Sequence, residues 1–361
     1  MSDLTFNNAR NVKWAFTTRR VRRDDAQKLL PIDTDGVRAM RPGDVVKARV
    51  IEIGQHSGIQ LKTGRRAALY SGDEIALCLG ARYAPDQFEC VAELDGDFAH
   101  LVAAGGICGV VTRQHGRMKT PTLLQVQGRL ALATGAPINV ADYALPPVET
   151  VSPRPPVIAV FGASMNAGKT TSAASLIHGL AKADHSVGAC KATGTGACGD
   201  INAYRDAGAA EILDFTDLGY SSTFGVSLNE LREISRGLVN HLALRGADII
   251  VMEIADGVLQ TETAALMRDP EFTVLTDGVI FAASDALSAI NGVHALERSG
   301  HSVMGVSGVL TRSPMACEEA KAALDTRFFS RNALTSAKGA TELLTQISGS
   351  VAAQAPAIVA A

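Results

Sequence analysis

Gly162, Gly168, Lys169 and Thr170 are the residues whose types and spacing define a chemistry most sharply. They lie in Gly162-Ala-Ser-Met-Asn-Ala-Gly168-Lys169-Thr170, which fits GxxxxGK[ST], the spacing at which a loop wraps its backbone around a phosphate. Glycines at both ends let the chain curl, and the N–H groups of residues 165–170 would face inward; Gly162, Asn166, Ala167, Gly168, Lys169, Thr170 and Thr171 are the candidate cofactor-binding residues of the loop. The helix that follows adds the partial positive charge of its N-terminus. Lys169 would reach the β- and γ-phosphates, and the Thr170 hydroxyl would ligate Mg²⁺. A phosphorylated ligand is the expectation; hydrolysis does not follow from the motif.

Further candidates stand where later apolar runs end. The run Ser186–Thr193 contains Lys191 and opens into Thr193, Gly194, Thr195, Gly196, then Cys198 and Asp200. Lys191 is placed to meet a terminal phosphate or a substrate carboxylate, the glycines to offer backbone donors to a second anion, and Asp200 to join a metal site. A flexible loop with a surface lysine is the competing reading. Asp248–Glu253 reads DIIVME, four apolar residues closing on the carboxylate of Glu253, which would hold Mg²⁺ directly or through water. After the last apolar run, Thr311 and Arg312 are candidates for contact with a base, or Ser313 simply caps a helix ahead of Pro314. No NKxD sequence is present, which tilts the nucleotide from GTP towards ATP.

These residues need a frame that presents them together. After Val157, β-type runs at 157–164, 186–193, 211–215, 248–255, 278–283 and 303–310 alternate with helical stretches at 170–183, 228–244, 262–267, 286–299 and 315–324. That pattern predicts an α/β fold: a parallel sheet of the P-loop NTPase type with helices on both faces and ligands at the carboxyl ends of its strands. Before it, 146–156 is a proline-rich linker, and 1–145 reads as a small β-rich domain, barrel or sandwich, with an uncertain leader over 1–40. There Val46, Ala48 and Val50 alternate with Lys47 and Arg49, and Lys62–Arg65 looks like a hairpin turn. Ala104-Gly105-Gly106 and the run Arg113–Lys119 are either plain turns or the lining of a ligand site. The nucleotide-binding domain is expected over 157–347 and a loose tail over 348–361.

Composition removes several classes. The 361 residues are 47% hydrophobic and 20% charged, with a net charge of −3, so neither a nucleic-acid nor a membrane surface is expected. The basic cluster Arg19, Arg20, Arg22 and Arg23 runs straight into Asp24 and Asp25 and reads as a solvated face. The N-terminus lacks the apolar core of a signal peptide, so a cytoplasmic protein is expected. Six scattered cysteines form no CxxC pair and suggest neither zinc nor disulfides.

GASMNAGKTT, then GACKATGTG, then VMEIADG, then the stretch from Gly278 to Ser313 resembles the dethiobiotin synthetase group of P-loop proteins. It also resembles the P-loop half of an uncharacterised family that includes D-glutamate N-acetyltransferases, where an ATGxTG-like segment precedes an Asp-Phe pair, as Ala192–Gly196 precedes Asp214-Phe215 here. The likeness covers residues 157–315. It implies phosphate and magnesium roles for Lys169 and Thr170, a substrate-proximal Lys191, and a metal-linked Glu253. Two departures stand out: the group's Glu-Gly-Ala-Gly-Gly is here Glu253-Ile254-Ala255-Asp256-Gly257, and its base-contacting asparagine is replaced near Thr311. The first resemblance implies an ATP- and Mg²⁺-dependent C–N ligase acting on a small carboxylate, carbamate or amine, with Lys169, Lys191 and Glu253 catalytic, and a possible homodimer. The second implies acetyl-CoA as the phosphorylated ligand of an N-acetyltransferase. A nucleotide-switched partner-binding protein is the third reading.

Overall fold

Alternation in the segment around Val46 sends Val46, Ala48 and Val50 to one side, and all three are fully buried in the computed structural model of the protein. That structure describes residues 4–5, 12–32 and 40–354. It divides into two units: Met1–Pro147 with Thr193–Asn202 and Asp214–Ser227, and Val148–Ala192 with Ala203–Leu213 and Leu228–Ala361.

The first unit is built on five strands: β1 (Val45–Glu52), β2 (Glu74–Leu79), β3 (Phe98–Ala103), β4 (Ile107–Gln114) and β5 (Thr122–Ala131). β1 pairs with β2 and β5, β2 with β4, β4 with β3, and β3 with β5. The pairings return to their start, so the unit is a closed barrel rather than a sandwich. Every pair in the ring is antiparallel except β2 with β4. Closure leaves one interior, where Val46, Ile75, Leu77, Leu79, Leu101 and Leu124 pack together.

β2 is buried on its other face too, because Ala76 and Cys78 pack with Trp14 and Val45. Trp14 arrives on the strand Lys13–Trp14, which pairs parallel to β2, and Lys28–Leu30 adds to β5. Residues 12–32 are therefore part of this unit, not a leader; 1–3, 6–11 and 33–39 lie outside the described residues. The hairpin at Lys62–Arg65 is present as Gly58–Gln60 paired with Arg66–Ala68. All six cysteines are buried and unbridged, and burial pushes the Cys78 and Cys90 thiols up to about 12, as suits packing rather than reactivity.

His56, half-buried beside Phe88, gives this unit a pH dependence. Burial first, then the charges of Arg82 and Arg66, push its imidazole down to about 4. A base with a folded-state value below its unfolded one binds fewer protons when folded. Its contribution is therefore complete above about pH 6.5 and is lost as pH falls towards 4. We expect urea midpoints to drop over that window by the equivalent of about 1–2 kcal/mol, and His56→Gln to flatten the slope. An unchanged slope in the variant would assign the effect elsewhere.

The second unit carries the strands β6 (Val157–Gly162), β7 (Val187–Lys191), β8 (Glu211–Asp214), β9 (Ile249–Glu253), β10 (Gly278–Ala282) and β11 (Val303–Ser307). Their order across the sheet is β8-β7-β9-β6-β10-β11. β6, β9 and β10 are buried at every position, which explains their unbroken apolar sequences. The chain works outward from β6 to one side and later to the other, and such a reversal opens a crevice at the carboxyl ends.

The helices are α1 (Lys169–Lys182), α2 (Cys198–Asp206), α3 (Leu228–Leu244), α4 (Thr261–Met267), α5 (Pro270–Leu275), α6 (Ala286–Arg298), α7 (Pro314–Lys321), α8 (Arg331–Leu334) and α9 (Ala337–Gln354). α8 and α9 cover the sheet through Leu334, Leu343 and Ile347, which meet Leu176 and Leu180 of α1 in one core. The expected loose tail is corrected in part. α9 continues to Gln354, through the weak helix formers Ser348, Gly349 and Ser350 to Ala352 and Ala353, while 355–361 lie outside the described residues.

Candidate functional site

β6 enters the glycine-rich loop, and the loop's backbone shows why these residue types stand there. Asn166 sits at φ +63° and Gly168 at φ +101°, conformations that Asn tolerates and Gly accepts freely. Gly168 is also the N-cap of α1 and, as a glycine, brings no capping side chain to the first turn, the arrangement found where a helix N-terminus meets an anion. A Cβ on Gly162 would come within 2.5 Å of the Lys169 side chain, which lies across it. Lys169 itself is buried, its ammonium donating to the Ser164 carbonyl at 2.8 Å. On the other side, a Cβ on Gly168 would approach the Cα of Gly308 to 3.0 Å, and Val309 N–H donates to the Ala167 carbonyl. The loop after β11 thus buttresses the cradle.

Glu253 closes β9 in full burial, and two hydroxyls converge on it. Thr170 donates to its Oε1 at 3.1 Å, and Tyr204 of α2 donates to Oε2. Lys191 lies directly opposite Glu253 in the β7–β9 pairing, so the two side chains leave the sheet on the same face. The departure from the Glu-Gly-Ala-Gly-Gly run keeps its last glycine for a visible reason. A Cβ on Gly257 would lie 2.6 Å from the Ala163 carbonyl and 2.7 Å from Ser164 Cα, where this segment crosses the cradle. Thr170 and Glu253 are adjacent hard oxygen donors, and they fit Mg²⁺, which takes one or two protein ligands and completes its shell with phosphate and water. Among the described residues no group of three His, Cys, Asp or Glu forms a fuller metal site.

The expected second anion cradle is not what its amides do. Gly194 N–H donates to Thr223 Oγ1 at 2.8 Å, and Gly196 N–H to the Ser221 carbonyl at 3.0 Å. Gly196 serves close packing: a Cβ on it would lie 2.8 Å from the Ser221 carbonyl, and a Cβ on Gly105 would sit 1.8 Å from Gly196 O, so the turn Ala104–Gly106 packs against this loop. Thr193 is buried, Thr195 bridges to Ser222, and Cys198 N–H donates to Gln60 Oε1. Asp200 stands in the first turn of α2, within the same segment of the first unit. Arg19, read as part of a solvated face, is instead an ion-pair centre. It reaches Asp214 at 2.9 Å and Asp217 at 2.7 Å, and burial pushes the Asp217 carboxyl up against that attraction. The basic run from Arg113 is exposed, and Arg113 pairs with Glu89.

Thr311 and Arg312 line a small cavity of about 60 Å³ together with Gly168 and Thr171, so the structure does bring both to the cradle. Ser313 caps α7 through Ala316 N–H. Arg331 lines the same cavity and was not foreseen. It also borders a larger open cavity of about 630 Å³ that follows α1 from Thr170 and Thr171 to His178 and Lys182. Tyr204 was missed too, although a tyrosine in a short helix directly after a glycine-rich loop was a signal to weigh.

Strand order, glycine-rich cradle and the acid-bearing neighbouring strand define a P-loop NTPase-type α/β domain following a β-rich region. No protein-family model matches the chain, and no curated protein does. Among solved structures, it is similar to the signal recognition particle 54 kDa protein of Aeropyrum pernix K1 in complex with GDP. That match has 18% identity and a TM-score of 0.36, over 57% of this chain and 51% of the other. It is also similar to the signal recognition particle receptor FtsY of Elizabethkingia anophelis, at 13% identity and TM-score 0.33, over 53% and 55%. The chain spans about half the length of each. Among the described residues no helix is long and apolar enough to cross a membrane.

Proposed function

We propose that the second unit binds ATP with Mg²⁺ and activates a small carboxylate or carbamate by phosphoryl transfer, so that an amine can form a C–N bond. The observation that supports this most is the Thr170 hydroxyl 3.1 Å from the Glu253 carboxylate, with Lys191 in register beside it at the mouth of the cradle. The resemblance to dethiobiotin synthetases points the same way. Mg²⁺, held by Thr170 and Glu253, would supply charge neutralisation on the phosphates.

The chain's own groups would divide the remaining work. First-turn amides of α1 and Lys169 hold the phosphates, and Lys169 follows charge onto the transferring phosphoryl group. Lys191 orients the acid so that a carboxylate oxygen attacks the γ-phosphorus as the bond to ADP breaks. Attack by the amine on the resulting acyl phosphate then releases inorganic phosphate and a proton.

The test is phosphate release from ATP in the presence of Mg²⁺ and pooled small acids and amines, run alongside GTP. Release that requires both an acid and an amine is the expected result. Release from neither nucleotide with any pool would overturn the reading, and free thiol appearing from acetyl-CoA instead would replace it with acyl transfer.

A further inference from the structure

The hairpin turn at Lys62 and the basic run Arg19–Arg23 have no part in the phosphate cradle, yet the first unit brings them together on one indole. Lys62 stands in the turn between Gly58–Gln60 and Arg66–Ala68, and its amide donates to the Trp14 carbonyl at 3.2 Å. The backbone bridge between Ala15 and Leu61 holds the same turn in place. From there the half-buried Lys62 side chain crosses Trp14, with Nζ 5.4 Å from the ring centre, and donates to the Val21 carbonyl. Arg23, two residues after Val21, brings its guanidinium to 5.8 Å from the centre of that ring. Trp14 is 1% exposed and so a fixed surface, and its Nε1–H finds no acceptor among the described residues.

Two cations drawn to one aromatic ring repel each other. Lys13, Lys47 and Lys338 each meet a carboxylate, whereas Lys62 makes no ion pair among the described residues. Burial first, then the charge of Arg23, bring its ammonium down to about 8. Near neutral pH about a fifth of such amines are uncharged, on the order of two hundredfold more than for an ordinary lysine. The uncharged amine is the nucleophilic form. Its neighbour then selects among products: a guanidinium opposes an ammonium, is nearly indifferent to a neutral amide, and attracts an anion.

We propose that Lys62 takes up carbon dioxide, forming a carbamate that Arg23 holds as an anion at the edge of Trp14. Nζ attacks the carbon, an N–C bond forms as one C=O electron pair moves onto oxygen, and the nitrogen loses one proton to water. The repelling pair of cations becomes an ion pair. The carbamate oxygens also bring acceptors to a cluster whose indole N–H has none. Addition is reversible, so occupancy follows dissolved carbon dioxide. The site lies wholly in the first unit and does not depend on what the phosphate cradle holds.

The test equilibrates the full chain with isotope-labelled bicarbonate near neutral pH, traps carbamates as ethyl esters with triethyloxonium, and maps them by peptide mass spectrometry. Lys62 should be trapped about tenfold more than any other lysine, and the untreated protein should show a carbamate resonance by carbon NMR that Lys62→Arg lacks. Acetylation with a succinimidyl ester, read on the same peptides, measures amine reactivity alone. Arg23→Gln should lower the carbamate-to-acetyl ratio at Lys62 about fivefold, and Arg23→Lys, which restores the charge, should recover most of it. Trapping of Lys62 at the level of other lysines would overturn the proposal. So would strong acetylation without carbamate, which would make Lys62 a reactive amine only, or a ratio that ignores the charge at position 23.

Discussion

Lys169→Ala is expected to abolish phosphate release while leaving the fold intact. The ammonium is buried against the cradle and donates to the Ser164 carbonyl, on a residue that is itself exposed. Water can therefore replace the lost donor, and unfolding free energy without ligand should change by no more than about 1 kcal/mol. The ligand side is different. A cation aimed at phosphate in a water-poor loop contributes on the order of 3–4 kcal/mol to transition-state stabilisation, or a hundredfold to a thousandfold in rate. Two measurements separate these effects: thermal unfolding without ligand, expected to be unchanged, and the upward shift produced by Mg·ATP, expected to vanish as affinity falls. Wild-type turnover in the variant would refute the site.

The contrast between residues that were legible in the sequence and those that were not has a physical basis. Gly162, Gly168, Lys169 and Thr170 could be read because each needs a particular backbone conformation or functional group at a fixed spacing. Glu253 was legible because four apolar residues before an acid mark a buried strand reaching its end. The barrel's β-rich content was visible in alternation, but its closure depends on β3 meeting β5 and β2 meeting β4, pairings that no local pattern encodes. Gly194 and Gly196 misled for the same reason. Glycines free to offer amides to an anion look the same in sequence as glycines whose amides are taken by Thr223 and Ser221. Arg331 carried no signal at all, since its place beside Gly168 depends on how α8 packs on Gly179.

Glu253→Gln is expected to separate metal binding from phosphate binding. The substitution keeps the shape of the side chain, so Tyr204 can still donate to its remaining carbonyl oxygen, and packing around β9 survives. What disappears is a negative charge beside Thr170, which an amide cannot supply to a hard cation. Half-maximal activity should therefore require about tenfold more Mg²⁺, with turnover at saturating metal down roughly tenfold to a hundredfold. Nucleotide binding measured in EDTA should be unchanged or tighter, because the lost carboxylate repelled the phosphates. Tyr204→Phe supplies the comparison: it removes an orienting hydrogen bond to a buried carboxylate, worth about 1.5–3 kcal/mol, but leaves the charge. That variant should lose rate several-fold without a shift in the Mg²⁺ requirement. If instead both variants lose stability equally and neither changes the metal dependence, Glu253 is a structural acceptor for Thr170 and Tyr204, and the metal must be held by other groups.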